Sequence, residues 1–304
     1  MNILKDNPKN TDLHHLGSQT ACIGTFDGMH LGHQELLLNT KKVGGGTYAA
    51  ITFYELPQIT LQSKDFKLIT SNTQKEKLFE LFGASNLLYL DFSYIRDYTP
   101  NDFCVLLDKK YNINTIVIGE DFKFGKDRKG DASSLISYFG FDNVTIVPTK
   151  LIYEQKASST NIRKFLTEGD ITSANNLLGR PYTFEARVLE GDGLGRKIGF
   201  PTANLEVEQH IIPKKGVYAA RVSIEGFKQP LDGMMNIGYR PTVTSNGELR
   251  IEVNIFDFDK EIYGMNLSLE IFSLLREERK FLNIDELKTQ LLKDKKSSIN
   301  KLKS

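Results

Sequence analysis

The sequence predicts an α/β domain built on a parallel sheet, followed by a small antiparallel β-barrel with a terminal helix. Three observations predict it. Short apolar runs alternate with amphipathic segments through the first half of the chain. Beyond Pro181 the apolar runs become short and alternating, punctuated by Gly and Pro. A helical pattern then occupies the C-terminal end.

In the first part, strands are expected over 20–24, 47–53, 86–91, 115–119 and 143–147, with helices over 32–42, 71–82, 100–111 and 132–139. Strand, helix, strand, repeated, is the pattern of a parallel sheet covered on both faces. Ligands of such sheets sit at the carboxyl ends of the strands, so the loops after Gly24 and Gly119 are where chemistry is expected. The pattern changes near Ser158. Two short helices follow, over 160–167 and 171–178, with Ser159 or Thr160 as the start signal of the first and Asp170 of the second. They lead into Gly179-Arg180-Pro181. Barrel strands are then expected over 184–190, 217–224, 233–237, 251–256 and 267–274, and a final helix from about 284 to 302. The reading gives two domains, 1–180 and 181–304.

The 304 residues exceed one ordinary core and suit two. Hydrophobic residues at 40% and charged residues at 25% are the balance of a folded globular chain. Lys plus Arg number 39 against 38 Asp plus Glu, a net charge of +1, which argues against binding nucleic acid or a membrane surface by bulk charge. A polyanionic ligand then needs a local site. The cysteines, Cys22 and Cys104, each sit in an apolar stretch without metal-ligand spacing, and are expected as reduced core thiols. The N-terminal residues lack the apolar core of a signal peptide, and no apolar run approaches membrane-spanning length. The chain therefore reads as cytoplasmic. The Lys-rich end from Lys293 to Lys303 reads as a helix with a solvated basic face. Whether the chain forms a homo-oligomer is left open.

The densest N-terminal motif is Gly24-Thr25-Phe26-Asp27-Gly28-Met29-His30-Leu31-Gly32-His33. It follows an apolar strand and opens a helix, where backbone N–H groups and the helix dipole favour an anion. Gly28 and Gly32 let the backbone approach a phosphate closely. His30 and His33, three residues apart, can reach one ligand from this turn. Metal ligation would need a third ligand; His14 and His15 exist, but nothing in the sequence sets their distance. A second stretch, Ala157-Ser158-Ser159-Thr160-Asn161-Ile162-Arg163, places hydroxyls at a helix start and a guanidinium one turn later, a combination suited to a triphosphate tail. A third, Gly119-Glu120-Asp121-Phe122-Lys123-Phe124-Gly125, puts Asp121 and two aromatics just past a strand end, where a purine or isoalloxazine ring could stack; ordinary core packing is the competing reading for Phe122 and Phe124. Gly125-Lys126 is not a phosphate-binding Walker loop, because the earlier Gly and the following Ser or Thr are missing.

In the second domain, Gly191-Asp192-Gly193-Leu194-Gly195-Arg196-Lys197-Ile198-Gly199-Phe200-Pro201-Thr202-Ala203-Asn204 is not a dinucleotide fingerprint, since no long helix follows. A glycine-rich flap over phosphates (Gly193, Gly195, Arg196, Gly199), with Thr202 and Asn204 as oxygen ligands of Mg²⁺, fits better.

The N-terminal motifs, FDGMH with HLGH and the companion SSTNIR, resemble the HxGH nucleotidylyltransferases, whose fold is Rossmann-like. GFPTAN resembles the hallmark of the riboflavin kinases. That likeness continues through Gly216-Val217-Tyr218, Asn236-Ile237-Gly238-Tyr239-Arg240-Pro241-Thr242, Glu252 in IEVNIFDF, Ile262-Tyr263-Gly264 and Leu275-Arg276-Glu277-Glu278. The whole chain resembles the bacterial bifunctional riboflavin kinase/FAD synthetases. The resemblance implies ATP as co-substrate, riboflavin and FMN as acceptors, FMN as intermediate and Mg²⁺ in both halves. It implies Glu252 as general base of the kinase, with Thr202 and Asn204 holding the metal. For adenylyl transfer it implies charge stabilisation by His30 and His33, with Gly24, Phe26, Asp27, Gly28, Gly32, Ser159, Thr160 and Arg163 around the ATP. Asp121, Phe122, Phe124 and Arg276 are the expected flavin or nucleotide contacts.

Three positions depart from the family pattern. Phe53-Tyr54-Glu55-Leu56-Pro57 replaces a phenylalanine-glutamate-proline-histidine-proline run, Asn161 stands for an arginine, and Asn254 stands for a histidine. They motivate two competing readings: an enzyme keeping one activity, or a non-catalytic flavin-binding regulator, the latter opposed by the presence of every central residue.

Overall fold

The structure is a computed structural model, and it describes residues 1–6, 16, 17, 19–61, 65–191, 194–239 and 249–303. The chain packs as two compact units. One comprises Met1–Phe66 and Thr70–Ser158, the other Lys67–Ile69 and Ser159–Ser304.

The first unit runs β1 (Asn2–Asp6), β2 (Thr20–Ile23), α1 (Leu31–Val43), β3 (Ala49–Phe53), α2 (Pro57–Leu61), α3 (Asn72–Leu81), β4 (Asn86–Leu90), α4 (Phe92–Ile95), α5 (Pro100–Val105), β5 (Thr115–Gly119), α6 (Ala132–Phe139), β6 (Val144–Val147) and a hairpin, β7 (Leu151–Ile152) with β8 (Gln155–Lys156). Six strands form one sheet in the order β1-β4-β3-β2-β5-β6, every pairing parallel. The chain leaves β2 toward β3 on one side and returns to β5 on the other. The switch point therefore lies between the carboxyl ends of β2 and β5, where the sequence placed the chemistry. Alternation along β2 feeds two cores: Ala21 and Ile23 pack on one face with Ile116 and Phe103, while Cys22 packs on the other with Phe26, Leu37 and Phe79. Both cysteines are buried and free, and burial pushes their thiols up, Cys22 to about 12 and Cys104 to about 11.

Local signals explain the helices. Ser71 and Gln74 form a reciprocal capping box on α3, Thr99 and Asp102 on α5 with Pro100 in its first turn, and Asp131 and Ser134 on α6. The expected helix over 100–111 does not stay α-helical: beyond Val105 it widens into a π-helical turn, Leu106–Lys110. Strand β1, the hairpin and the short helices α2 and α4 were not foreseen. Strand β1 carries only Ile3 and Leu4 between polar residues, and it is a strand because it pairs with β4 from Asn2↔Asn86 to Asp6↔Leu90.

The second unit contains α7 (Ser159–Glu168), α8 (Ile171–Leu178), β9 (Tyr182–Leu189), α9 (Leu194–Lys197), β10 (Ala203–Glu206), β11 (Gly216–Ile224), β12 (Leu231–Tyr239), β13 (Leu249–Ile255), β14 (Asn266–Arg276) and α10 (Ile284–Lys303). Its strands close a barrel in the order β10-β13-β12-β11-β14-β9. Asp170 caps α8 as expected, accepting from the Ser173 N–H at 3.0 Å, and Gly179 ends it in the left-handed conformation. Helix α7 begins at Ser159, so Ser159 and Thr160 lie inside its first turn. Asn175 ties α8 to the barrel, donating to the Ile271 carbonyl at 2.9 Å and accepting from the Tyr182 N–H at 2.7 Å. Helix α10 covers the barrel wall: Ser298 donates to the Gly233 carbonyl at 2.7 Å, and the apolar cluster Val217, Met234 and Phe256 packs with Phe200, Leu291 and Ile299. The unforeseen strand here is β10, which begins in the last two residues of the GFPTAN motif.

Candidate functional site

The turn after β2 is built against backbone preference. Phe26 and Met29 adopt positive φ values of 52° and 42°, with Gly28 at 89° between them. For non-glycine residues such angles cost on the order of 1–3 kcal/mol each and persist only where the surroundings dictate them. Here Phe26 and Met29 are fully buried, and Phe26 meets Phe79 edge-on at 5.0 Å. Asp27, 3% exposed, accepts the Thr70 N–H at 3.2 Å. Gly24 continues the sheet by donating to the Ile51 carbonyl at 3.1 Å.

His30 is the N-cap of α1. Its Nδ1 accepts the backbone N–H of His33 at 3.3 Å, and the two imidazoles stack with centroids 3.6 Å apart and planes 18° apart. An accepting Nδ1 carries no proton, so neutral His30 is protonated on Nε2, a donor suited to an anionic oxygen at the helix N-terminus. Gly32 permits the stack, since a Cβ there would lie 3.2 Å from His30 Nδ1 and 3.3 Å from the Ala157 carbonyl.

At the end of β5, Asp121 is exposed; Lys156 holds its carboxyl below the usual range and Thr149 donates to it at 3.2 Å. Phe122 and Phe124 stack with centroids 5.6 Å apart, but Phe124 is buried against Phe103 and belongs to the core, and Phe122 packs beside it. Core packing thus accounts for Phe124.

In the second unit, Ser159 and Thr160 open α7, and Arg163 donates to the Lys67 carbonyl at 2.6 Å. The barrel brings the remaining residues together. Asn204 on β10 lies directly opposite Glu252 on β13, and Asn236 on β12 flanks Glu252 from the other side. Residues directly opposite share a face of the sheet, so the three side chains form one polar patch. Arg250 pairs with Glu252 at 3.4 Å. Upstream, the loop 195–200 closes on itself: the Phe200 N–H donates to the Gly195 carbonyl at 2.9 Å, the Gly199 N–H to the Arg196 carbonyl at 3.2 Å, and a Cβ on Gly195 would collide with the Phe200 carbonyl and crowd Thr202 Oγ1. Gly199 turns with φ of 84°, and Arg196 is exposed. Gly193 lies outside the described residues, as do Arg240, Pro241, Thr242, His14 and His15.

The donor set at Thr202 and Asn204 suits Mg²⁺. Both offer hard neutral oxygens, and Asn204 Oδ1 is buried with no hydrogen-bond partner among the described residues. The space for that amide exists because Gly191 has no side chain. Asn254, marked in the sequence only as a departure, is 6% exposed and donates to the Pro201 carbonyl at 2.6 Å, next to Thr202. Arg276, at the end of β14, is held by Asp294 through Nε and Nη2, each at 2.9 Å, with Nη1 on the Glu277 carbonyl at 3.1 Å. Sequence reasoning missed Asp294, whose sign is visible only in three dimensions: a carboxylate 3% exposed within the Lys-rich second half of α10.

Fold and sites define a class: an α/β unit with a strained turn that opens a helix at its switch point, joined in one chain to a barrel carrying a carboxylate among oxygen donors. The FAD synthetase family model matches residues 13–161 and the riboflavin kinase family model residues 178–302. Curated bifunctional riboflavin kinase/FMN adenylyltransferases from Listeria monocytogenes and Bacillus subtilis are each 36% identical, over 92% and 95% of this chain and 91% and 96% of theirs. A crystal structure described as a macrolide-efflux protein from Streptococcus pneumoniae superposes with a TM-score of 0.89 at 34% identity, covering 99% of both chains. Among the described residues of this chain, no helix is long and apolar enough to cross a membrane. The chain belongs to the family of bifunctional riboflavin kinase/FMN adenylyltransferases.

Proposed function

We propose that this protein makes both flavin cofactors: it phosphorylates riboflavin to FMN with ATP, then adenylylates FMN to FAD with release of pyrophosphate. The carrying observation is that the two family models match successive, nearly complete portions of one chain. The readings with one activity lost, or with none, are not favoured by relatives that carry both names over almost the full length. We assign adenylyl transfer to 1–180 and the kinase to 181–304.

In the kinase, Glu252 takes the proton of the ribityl 5′-hydroxyl as that oxygen bonds to the γ-phosphorus of ATP and the bond to the ADP oxygen breaks. Thr202 and Asn204 would hold Mg²⁺, which supplies charge neutralisation on the phosphates when bound. We assign Gly195, Arg196 and Gly199 to the flap over those phosphates. Arg276, oriented by Asp294, is the assigned flavin contact.

In adenylyl transfer the nucleophile is the FMN phosphate, largely ionised at neutral pH, so no strong base is required. A phosphate oxygen of FMN bonds to the α-phosphorus and pyrophosphate leaves. His30 donates through Nε2 and, with His33 and the N-terminus of α1, stabilises the charge gathering on the α-phosphate. Gly24, Phe26, Asp27, Gly28 and Gly32 shape that turn, and Ser159, Thr160 and Arg163 take the β- and γ-phosphates. Asp121 and Phe122 are assigned to the nucleotide or flavin ring, with Phe124 supporting Phe122 from the core. We place the enzyme in the cytoplasm on its cysteine usage, both thiols being buried and free.

The test is chromatography of products from purified protein, ATP and Mg²⁺, started in parallel from riboflavin and from FMN. FAD in both establishes the proposal. FMN without FAD in the first, and no FAD in the second, reduces it to a kinase; no product in either overturns it.

A further inference from the structure

The register of the barrel strands places Arg276, Val217, Asn236, Glu252 and Asn204 opposite one another in turn, one residue each from β14, β11, β12, β13 and β10. Residues so paired share a face, and these five form a single row across the barrel wall. Adjacent strands lie about 4.8 Å apart, so the row measures distance from Glu252 in steps of that size. Asn204, assigned with Thr202 to the metal, stands one step to one side. Asn236 stands one step to the other, and Arg276, the assigned flavin contact, stands three. Asn236 is the polar member of the row without an occupation. Asparagine is poorly suited to strands, yet this one sits between Met235 and Ile237 on β12, which has β11 and β13 paired on either side. It is half-buried, and its amide makes no hydrogen bond among the described residues. The walls around it are polar. Glu252 faces it across the strand pair, and Arg250, which pairs with Glu252 at 3.4 Å, lies opposite Gly238. Gly238 leaves room for the Glu278 carboxylate: a Cβ there would collide with Glu278 Oε1 and stand 3.5 Å from Asn236 Nδ2. Two carboxylates against one guanidinium make this a poor place for a phosphate. Hydroxyls suit it, since each donates to a carboxylate and accepts from an amide.

We propose that Asn236 is a specificity-determining residue of the kinase, binding the ribityl hydroxyls that lie between the reacting 5′-oxygen and the flavin ring. The inference rests on the assignment of Glu252 as the base for that oxygen. The order of the row then matches the order of the substrates: phosphates at Asn204, the 5′-oxygen at Glu252, the remaining chain hydroxyls at Asn236, and the ring beyond Val217 toward Arg276. The amide donates to one hydroxyl and accepts from its neighbour, which keeps the 5′-oxygen within reach of Glu252. A chain without those hydroxyls leaves the amide unpaired, and the site discriminates against it.

The experiment compares full-length wild type, N236A, N236V and E252Q on two phosphate acceptors. One is riboflavin; the other is a flavin with a 5-hydroxypentyl chain, which keeps the terminal hydroxyl and lacks the other three. FAD formation from FMN and thermal unfolding are measured alongside. N236A should lower kcat/KM for riboflavin by about 10-fold, as for one lost hydrogen-bonding group, and leave the hydroxypentyl flavin nearly unchanged. The preference for riboflavin over the analogue should therefore shrink by about 10-fold, with FAD formation unaffected. N236V puts a strand-favouring side chain in the same place, so it should unfold at the same or a higher temperature and lose the same discrimination. Should N236A unfold early, N236V alone decides. Equal losses on both acceptors overturn the proposal, and so does undiminished discrimination. E252Q separates the two layers: if it phosphorylates riboflavin as wild type does, the assignment of the row to the kinase fails. If E252Q is inactive and the Asn236 variants keep wild-type discrimination, only the role of Asn236 fails.

Discussion

Asn254 donates a 2.6 Å hydrogen bond to the carbonyl of Pro201, so β13 holds the residue immediately before Thr202. The same strand carries Glu252 two residues earlier, on the same face. One strand thus positions both Glu252, the proposed general base, and the segment that carries Thr202. N254A should free the Pro201 carbonyl and lower FMN formation by about 10-fold, the equivalent of ~1.4 kcal/mol for a buried hydrogen bond. FAD formation from supplied FMN should be unchanged. Paired product assays on the single variant check this, and equal losses in both activities would refute it.

E252Q keeps the shape of the glutamate and removes its basicity. FMN formation should drop by about 10²- to 10⁴-fold, the range for losing a positioned general base. FAD formation from FMN should persist. Steady-state kinetics started from each substrate separate the outcomes.

H30A removes both the Nε2 donor and the cap on the His33 N–H. FAD formation should fall by about 10²- to 10³-fold, as for the loss of one oriented donor to a developing anion. The lost cap should add about 1 kcal/mol of destabilisation. H33A keeps the cap, so it should lose activity with a smaller drop in unfolding temperature; calorimetry on both variants provides the comparison.

His210 gives the barrel unit a pH dependence. It is 4% exposed, and burial lowers it from 6.5 to about 4, while a backbone interaction with Ile69 acts the other way. On both sides of it the backbone pairs with Leu68, the Leu68 N–H donating to the Gln209 carbonyl at 2.7 Å and the Ile211 N–H to the Leu68 carbonyl at 3.0 Å. The unfolded chain takes up a proton below about 6.5, the folded unit only below about 4. Stability should therefore be full above pH 6.5 and decline as pH falls toward 4, by roughly 3 kcal/mol in all. Denaturant titrations of wild type and H210Q across pH 4–8 test this; the variant should show a shallower slope.

A second buried charge tests the first unit. Asp6 Oδ2 pairs with Lys110 Nζ at 2.8 Å and accepts the Tyr111 hydroxyl at 2.7 Å, pinning the edge strand β1 to the π-helical turn. D6A leaves the lysine uncompensated and should cost about 3–5 kcal/mol, whereas D6A/K110M should recover most of that. Chemical denaturation of the three proteins decides it.

Much of this was legible wherever the signal was local. Helices α6 and α8 begin and end where read, because Asp131 and Asp170 satisfy orphan N–H groups within the next few residues and Gly140 and Gly179 stop the helices in the same stretch. The turn from Gly24 to His33 and the GFPTAN segment were legible for the same reason. Strands β1 and β10 were not: each is too short to show a period, and each is a strand because of partners far away in sequence, β4 for one, β9 and β13 for the other. The π-helical turn depends on packing within the first unit, which no local propensity records.

By itself the sequence determined the order of elements, the two-part organisation and the identity of the chemical groups, since periodicity, caps and motifs are properties of neighbouring residues. Tertiary structure alone decided which groups meet: Asn204 opposite Glu252, Asn254 on Pro201, Asp294 on Arg276 and Lys110 on Asp6. Strand register and burial are long-range quantities, and a charge reveals its purpose only when the residues that desolvate it are known.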